Sequence, residues 1–159
     1  MHRLVLSCIA LCLAFGLVIS PDVASAQGKK EKAGTMQEQS LYKRLGGYDA
    51  IAAVTDDFIG RLLVSKDLGR FFVGTSANSK NRIRQMVVDQ LCAVTGGPCV
   101  YIGRDMKTVH SGLGITENDW QSAVNDLLAS LAHFKVPQKE KDELVAIVAS
   151  TKSDIVEKP

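Results

Sequence analysis

Tyr101-Ile-Gly-Arg-Asp-Met-Lys-Thr-Val-His110-Ser-Gly-Leu-Gly-Ile-Thr116 is the stretch on which the reading of this chain turns. His110 is one of three histidines in 159 residues. It follows Val109 and precedes a glycine-rich turn at Gly112 and Gly114. A lone neutral imidazole in apolar surroundings can donate a nitrogen to iron with no neighbouring ligand competing for the metal. The plainer reading is a surface histidine, or a core histidine satisfied by a neighbour. The sequence on either side of His110 has to decide between them.

Outward from that stretch the pattern is helical. Ile51, Val54, Phe58, Ile59, Leu62 and Leu63 recur at helical spacing, as do Ile83, Val87, Leu91 and Val94. Gly46-Gly47 breaks a short first helix, and Gly96-Gly97-Pro98 stops the helix before the His110 segment. Asp67 to Phe72 reads as a turn with a short helical piece, and Ser76 to Lys80 as polar loop. Thr116 with Asp119 forms a capping box ahead of Trp120, Val124, Leu127, Leu128 and Leu131. Pro137 suits the first turn of a last helix whose buried face is Leu144, Ile147, Val148, Thr151 and Ile155. No stretch alternates as a strand, so the expected domain is all-α. Phe58, Ile59, Ile83, Val87, Met106, Val109, Ile115 and Trp120 are the candidate cofactor contacts. An ordinary core and a cavity around a flat apolar group need the same residue types, and periodicity does not separate the two.

The ends of the chain address location. His2 and Arg3 precede an apolar run from Leu4 to Ile19, followed by Pro21 and Ala24-Ser-Ala26. A basic start, a short apolar core and small residues two apart describe a secretory signal, residues 1–26, with the mature chain starting near Gln27. The run is short for a membrane span, which needs about 20 residues. Residues 27–40 are polar and lysine-rich and read as a linker; 41–159 form one domain. Lys and Arg number 19 against 17 Asp and Glu. That balance gives no nucleic-acid footprint and no membrane patch once the signal is gone. The expectation is an exported protein, periplasmic or secreted. Cys8 and Cys12 leave with the signal. Cys92 and Cys99 remain, without zinc spacing, and are expected to form a disulfide; two buried thiols are the alternative.

Taken in order, Leu41-Tyr-Lys-Arg-Leu-Gly-Gly47, Asp57-Phe-Ile-Gly-Arg-Leu-Leu63, Phe71-Phe72, Gly96-Gly-Pro98, Tyr101-Ile-Gly-Arg104, Met106-Lys-Thr-Val-His110 and Gly114-Ile-Thr116 are specific. The chain resembles the group I truncated haemoglobins, short globins with a two-over-two helical sandwich, from Leu41 to about Val156. The resemblance implies haem b with His110 as the proximal iron ligand, and Lys107 as a partner for a haem propionate. It implies binding of oxygen, carbon monoxide and nitric oxide.

The far side of the haem departs from the family. Where many members carry a tyrosine, this chain has Ile59. The other distal positions fall on the helix of Ile83 and Val87; a one-residue slip would turn Arg82, Met86 and Gln90 inward instead. The apolar stripe favours the first register and a pocket without donors. Tight oxygen storage and nitric-oxide dioxygenation, a common proposal for the family, are then disfavoured. Two competitors to gas binding stay open. One is an electron-transfer protein with Met86 closing the iron and a redox partner; the other is a haem-free helical interaction module.

Overall fold

The computed structural model describes residues 39–158; the signal-like segment and the first part of the linker lie outside the described residues. Its helices are α1 (Leu41–Arg44), α2 (Gly47–Val64), α3 (Ala77–Val94), α4 (Met106–His110), α5 (Glu117–His133), α6 (Gln138–Ala149) and α7 (Lys152–Ile155), with a 3-10 turn at Gly69–Phe72. No strand is formed among the described residues; a single parallel bridge joins Thr116 and Lys158.

Local chemistry sets most of the helix ends. Thr116 and Asp119 cap α5 reciprocally, the side chain of each bonding the other's backbone N–H, so two orphan donors of the first turn are satisfied. Pro137 stands directly before α6, where its missing N–H costs nothing. The polar run after Ser76 is helix, not loop. The Ser76 hydroxyl accepts the Ser79 N–H, and a solvent-facing first turn needs no apolar period. The last helix also differs from the expected one. It stops at Ala149 and resumes as α7. The Ser150 and Thr151 hydroxyls donate back to the Ile147 and Val148 carbonyls, which competes with the helical ladder at that point.

Helix α2 is the centre of the packing, against α3 on one side and α5 on the other; α1 and α5 pack on α6, and α4 on α7. Leu41, Val54, Leu127, Leu131 and Leu144 form one buried cluster, and Ile51, Val88 and Cys92 a second. The second cluster corrects the reading of α3. Val88 and Cys92 are fully buried against α2, whereas Ile83 and Val94 are 37% and 46% exposed. The stripe seen in the sequence is therefore not the face that packs most closely on protein, although Leu91 within it touches both clusters. It faces a cavity.

Candidate functional site

Helix α4 is little more than one turn. Asp105 starts it by accepting the Thr108 N–H at 2.8 Å and the Thr108 hydroxyl at 2.7 Å. Those bonds lower the Asp105 pKa, the backbone bond foremost. His110 is the last residue of α4, and its Nδ1 lies 2.8 Å from the Met106 carbonyl oxygen. A carbonyl carries no proton, so Nδ1 must be the donor. The neutral ring then keeps its lone pair on Nε2, the arrangement a metal-ligating histidine needs.

His110 stands on the wall of a cavity of about 800 Å³. Phe58 and Ile59 of α2, Ile83 and Val87 of α3, Met106 and Val109 of α4, Ile115, and Trp120 of α5 line the same cavity. Lys107 is not on that wall; it is exposed on the outer side of α4. His133 lies elsewhere, with Nδ1 3.0 Å from Asp57. Among the described residues no group of three or more metal-ligating side chains gathers anywhere. A lone imidazole suffices when the metal arrives in a macrocycle that fills its other positions.

The α3 side of the cavity carries donors, contrary to the donor-free pocket that its apolar stripe implies. Arg82, Met86 and Gln90 border the cavity together with Ile83 and Val87. A helix lying along a space several side chains wide presents two adjacent rows to it, so both registers contribute. Gln90 is half-buried and its carboxamide makes no hydrogen bond among the described residues.

The edge of the cavity is basic. Arg44, Arg61, Arg70 and Arg84 each pair with a carboxylate. Arg82 and Arg104 pair with none among the described residues, and both border the cavity. Beside Arg104 the Tyr101 hydroxyl donates to its carbonyl at 2.7 Å, folding the ring over Gly103. A Cβ on Gly103 would lie 2.2 Å from the Tyr101 oxygen, so a side chain there would push the ring aside. The residues present fit a flat apolar iron complex with acidic tails: an apolar wall, one free ring nitrogen, and two unpaired guanidinium groups at the rim.

Several contributors escaped sequence reasoning. Phe71 and Phe72 line the cavity from the 3-10 turn. That turn is tied to α5 by Arg70, whose Nη2 donates to both oxygens of buried Asp119 at 2.7 Å while the guanidinium stacks over Phe71. Burial alone would raise the Asp119 pKa; the Thr116 N–H, Arg70 and the Thr116 hydroxyl outweigh it and hold the carboxyl below its ordinary value. A depressed folded value contributes stability above the unfolded carboxylate range and loses it as the pH falls through the folded value. Asp119→Asn should therefore cost about 1–2 kcal/mol at neutral pH, moderated because Arg70 is half exposed, and little in strong acid. Denaturant midpoints across pH for the two proteins check this; an equal loss at every pH would count against it.

Cys92 and Cys99 are joined, with their Cα atoms 5.7 Å apart. The bond links α3 to the segment that leads through Tyr101 into α4. Closing so short a loop removes about 2–3 kcal/mol of unfolded-state entropy.

The family model for bacterial-like globins matches residues 40–157. The group 1 truncated hemoglobin GlbN of Mycolicibacterium paratuberculosis is 34% identical over 116 residues, covering 73% of this chain and 83% of that protein. The structure of the 2/2 hemoglobin from Synechococcus sp. PCC 7002, in the cyanomet state and with covalently attached heme, superposes with a TM-score of 0.68 at 28% identity, covering 74% of this chain and 98% of that one. The truncated hemoglobin of Tetrahymena pyriformis in its Fe(III) form has a TM-score of 0.69, covering 74% of this chain and 98% of that one, and at 24% identity speaks for the fold alone. The expected all-α two-over-two sandwich is the fold these structures have in common with the chain.

Proposed function

The chain belongs to the bacterial-like globin family, among the group 1 truncated haemoglobins, and on that premise we propose what its own residues do. Haem iron and the binding of a diatomic gas such as oxygen come with the family. The proposal is an exported protein that holds haem b through His110 and binds oxygen, carbon monoxide and nitric oxide reversibly, in transport, sensing or detoxification. Bound haem supplies the iron at which the gas binds.

One observation carries the reading: the Met106 carbonyl fixes the His110 proton on Nδ1 and leaves Nε2 free at the wall of an apolar cavity. The aromatic and aliphatic wall would shield a group held at that nitrogen from water. Arg82 and Arg104, unpaired at the rim, would hold the two haem carboxylates, with Lys107 nearby in sequence as a third cation. Cys92 and Cys99 are bonded to each other and offer no thiol for covalent attachment, which supports haem b. Export rests on the sequence of residues 1–26 and agrees with a disulfide.

The absorption spectrum of the reduced protein tests the function. A five-coordinate ferrous spectrum that changes on adding carbon monoxide is the expected result, and absence of any haem band refutes it. A second reading has one observation in its favour: the Met86 thioether also borders the cavity. Met/His ligation would make the protein an electron carrier with a redox partner, and the same sample would then be six-coordinate. Intact mass of the exported protein tests location. It should correspond to a chain starting near Gln27, lighter by two hydrogens for the disulfide. Soluble cytoplasmic protein retaining Met1 would overturn export.

A further inference from the structure

The described end of the chain grips the turn that follows His110. The Glu157 carboxylate accepts the Gly112 N–H on one oxygen at 2.6 Å and the Gly114 N–H on the other at 2.5 Å. Around it the Glu157 and Lys158 N–H groups both donate to the Ile115 carbonyl, and the Glu117 N–H donates to the Lys158 carbonyl. Gly112 and Gly114 have φ of +82° and +67°, which any side chain would strain. Such turns gather N–H groups into a concavity for an anion. Here the chain supplies the anion itself, across 45 and 43 residues of sequence. The two N–H groups also hold Glu157 below its ordinary carboxylate pKa.

The turn matters because α4 has little else to fix it. It is five residues long and contains no buried residue. Its packing is against α7, which ends two residues before Glu157. His110 is two residues from the first clamped amide. A short, exposed helix whose end is free would let the imidazole swing; one whose end is pinned at two amides would not.

We propose that Glu157 is the positioning residue for His110, fixing through the Gly112 and Gly114 amides the direction in which the imidazole meets the iron. This rests on the reading of His110 as iron ligand. It assigns the tail a task in the site rather than in the fold, because Glu157 touches neither of the buried clusters.

The test uses Glu157→Ala and Glu157→Gln in the full-length protein, with two readouts. The first is amide hydrogen exchange at Gly112 and Gly114 in the protein as purified. The second is the iron–imidazole stretching band in the resonance Raman spectrum of the ferrous protein. Glu157→Ala should speed exchange at both glycines by about tenfold or more. It should also shift and broaden the band, with circular dichroism unchanged. Glu157→Gln, which keeps one acceptor oxygen, should fall between Ala and wild type on both readouts. Should the Ala variant fail to retain haem, the Gln variant's band carries the decision. An unshifted band, or unchanged exchange in a folded Ala variant, overturns the proposal. If His110→Ala keeps the wild-type band, the ligand reading fails and this proposal with it; an unshifted band in a protein whose His110 does bind iron sinks this proposal alone.

Discussion

Replacing His110 by alanine should empty the protein of haem while leaving its far-ultraviolet circular dichroism nearly unchanged. His110 ends a five-residue helix that buries nothing, so little of the fold depends on it. Its imidazole, by contrast, is the one side chain of the cavity wall prepared as a neutral nitrogen donor, through the Met106 carbonyl. Residues that merely support a metal ligand typically cost about 10–100-fold in affinity when removed, and loss of the ligand itself should exceed that. Haem transfer to an apo-globin acceptor measures it, and added free imidazole should restore part of the spectrum. A variant with the wild-type spectrum and affinity would show that another group holds the iron.

The second large effect concerns oxygen release. A gas that takes on negative charge when it binds is held by an N–H or O–H donor, and a hydrogen bond to a charged group contributes about 1.5–3 kcal/mol, or roughly ten- to a hundredfold. Ile59 is buried on the cavity wall and offers no donor. Ile59→Tyr should slow oxygen release by about that factor, with carbon monoxide far less affected, provided the ring enters without overpacking. Gln90 is the competing explanation, since its unbonded carboxamide borders the same space. Gln90→Leu should leave oxygen release within about a factor of two. A tenfold acceleration in stopped flow would identify Gln90 as the donor and make the wild-type pocket a retaining one.

What could be read in advance was what short segments determine by themselves. The capping box at Thr116 and Asp119, the stop at Gly96-Gly97-Pro98 and the break at Gly46-Gly47 are local, and each is where its residues put it. Periodicity found the apolar stripe of α3 but not what the stripe meets. Ile83 and Val87 face the cavity, whereas Val88 and Cys92, on a neighbouring row of the helix, pack against α2. The hydrophobic effect rewards either partner alike, so spacing does not distinguish protein from cofactor. Arg82 and Gln90 fall outside the stripe, which implies a narrow contact, whereas the cavity is wide enough to take both rows. The bonds from Arg70 to Asp119 and from Glu157 to Gly112 span 49 and 45 residues. No local pattern announces them; they exist because the fold brings their ends together.

The two buried clusters have one more consequence. Of the eight residues that close them, Leu127 alone borders the cavity. Phe58, Leu91, Ile147 and Val148, however, pack on the first cluster and line the cavity as well, so scaffold and pocket share a wall. Whatever fills the cavity therefore also braces the framework, and since a group bound by the folded chain alone stabilises it, haem uptake should be legible in resistance to denaturant as well as in colour.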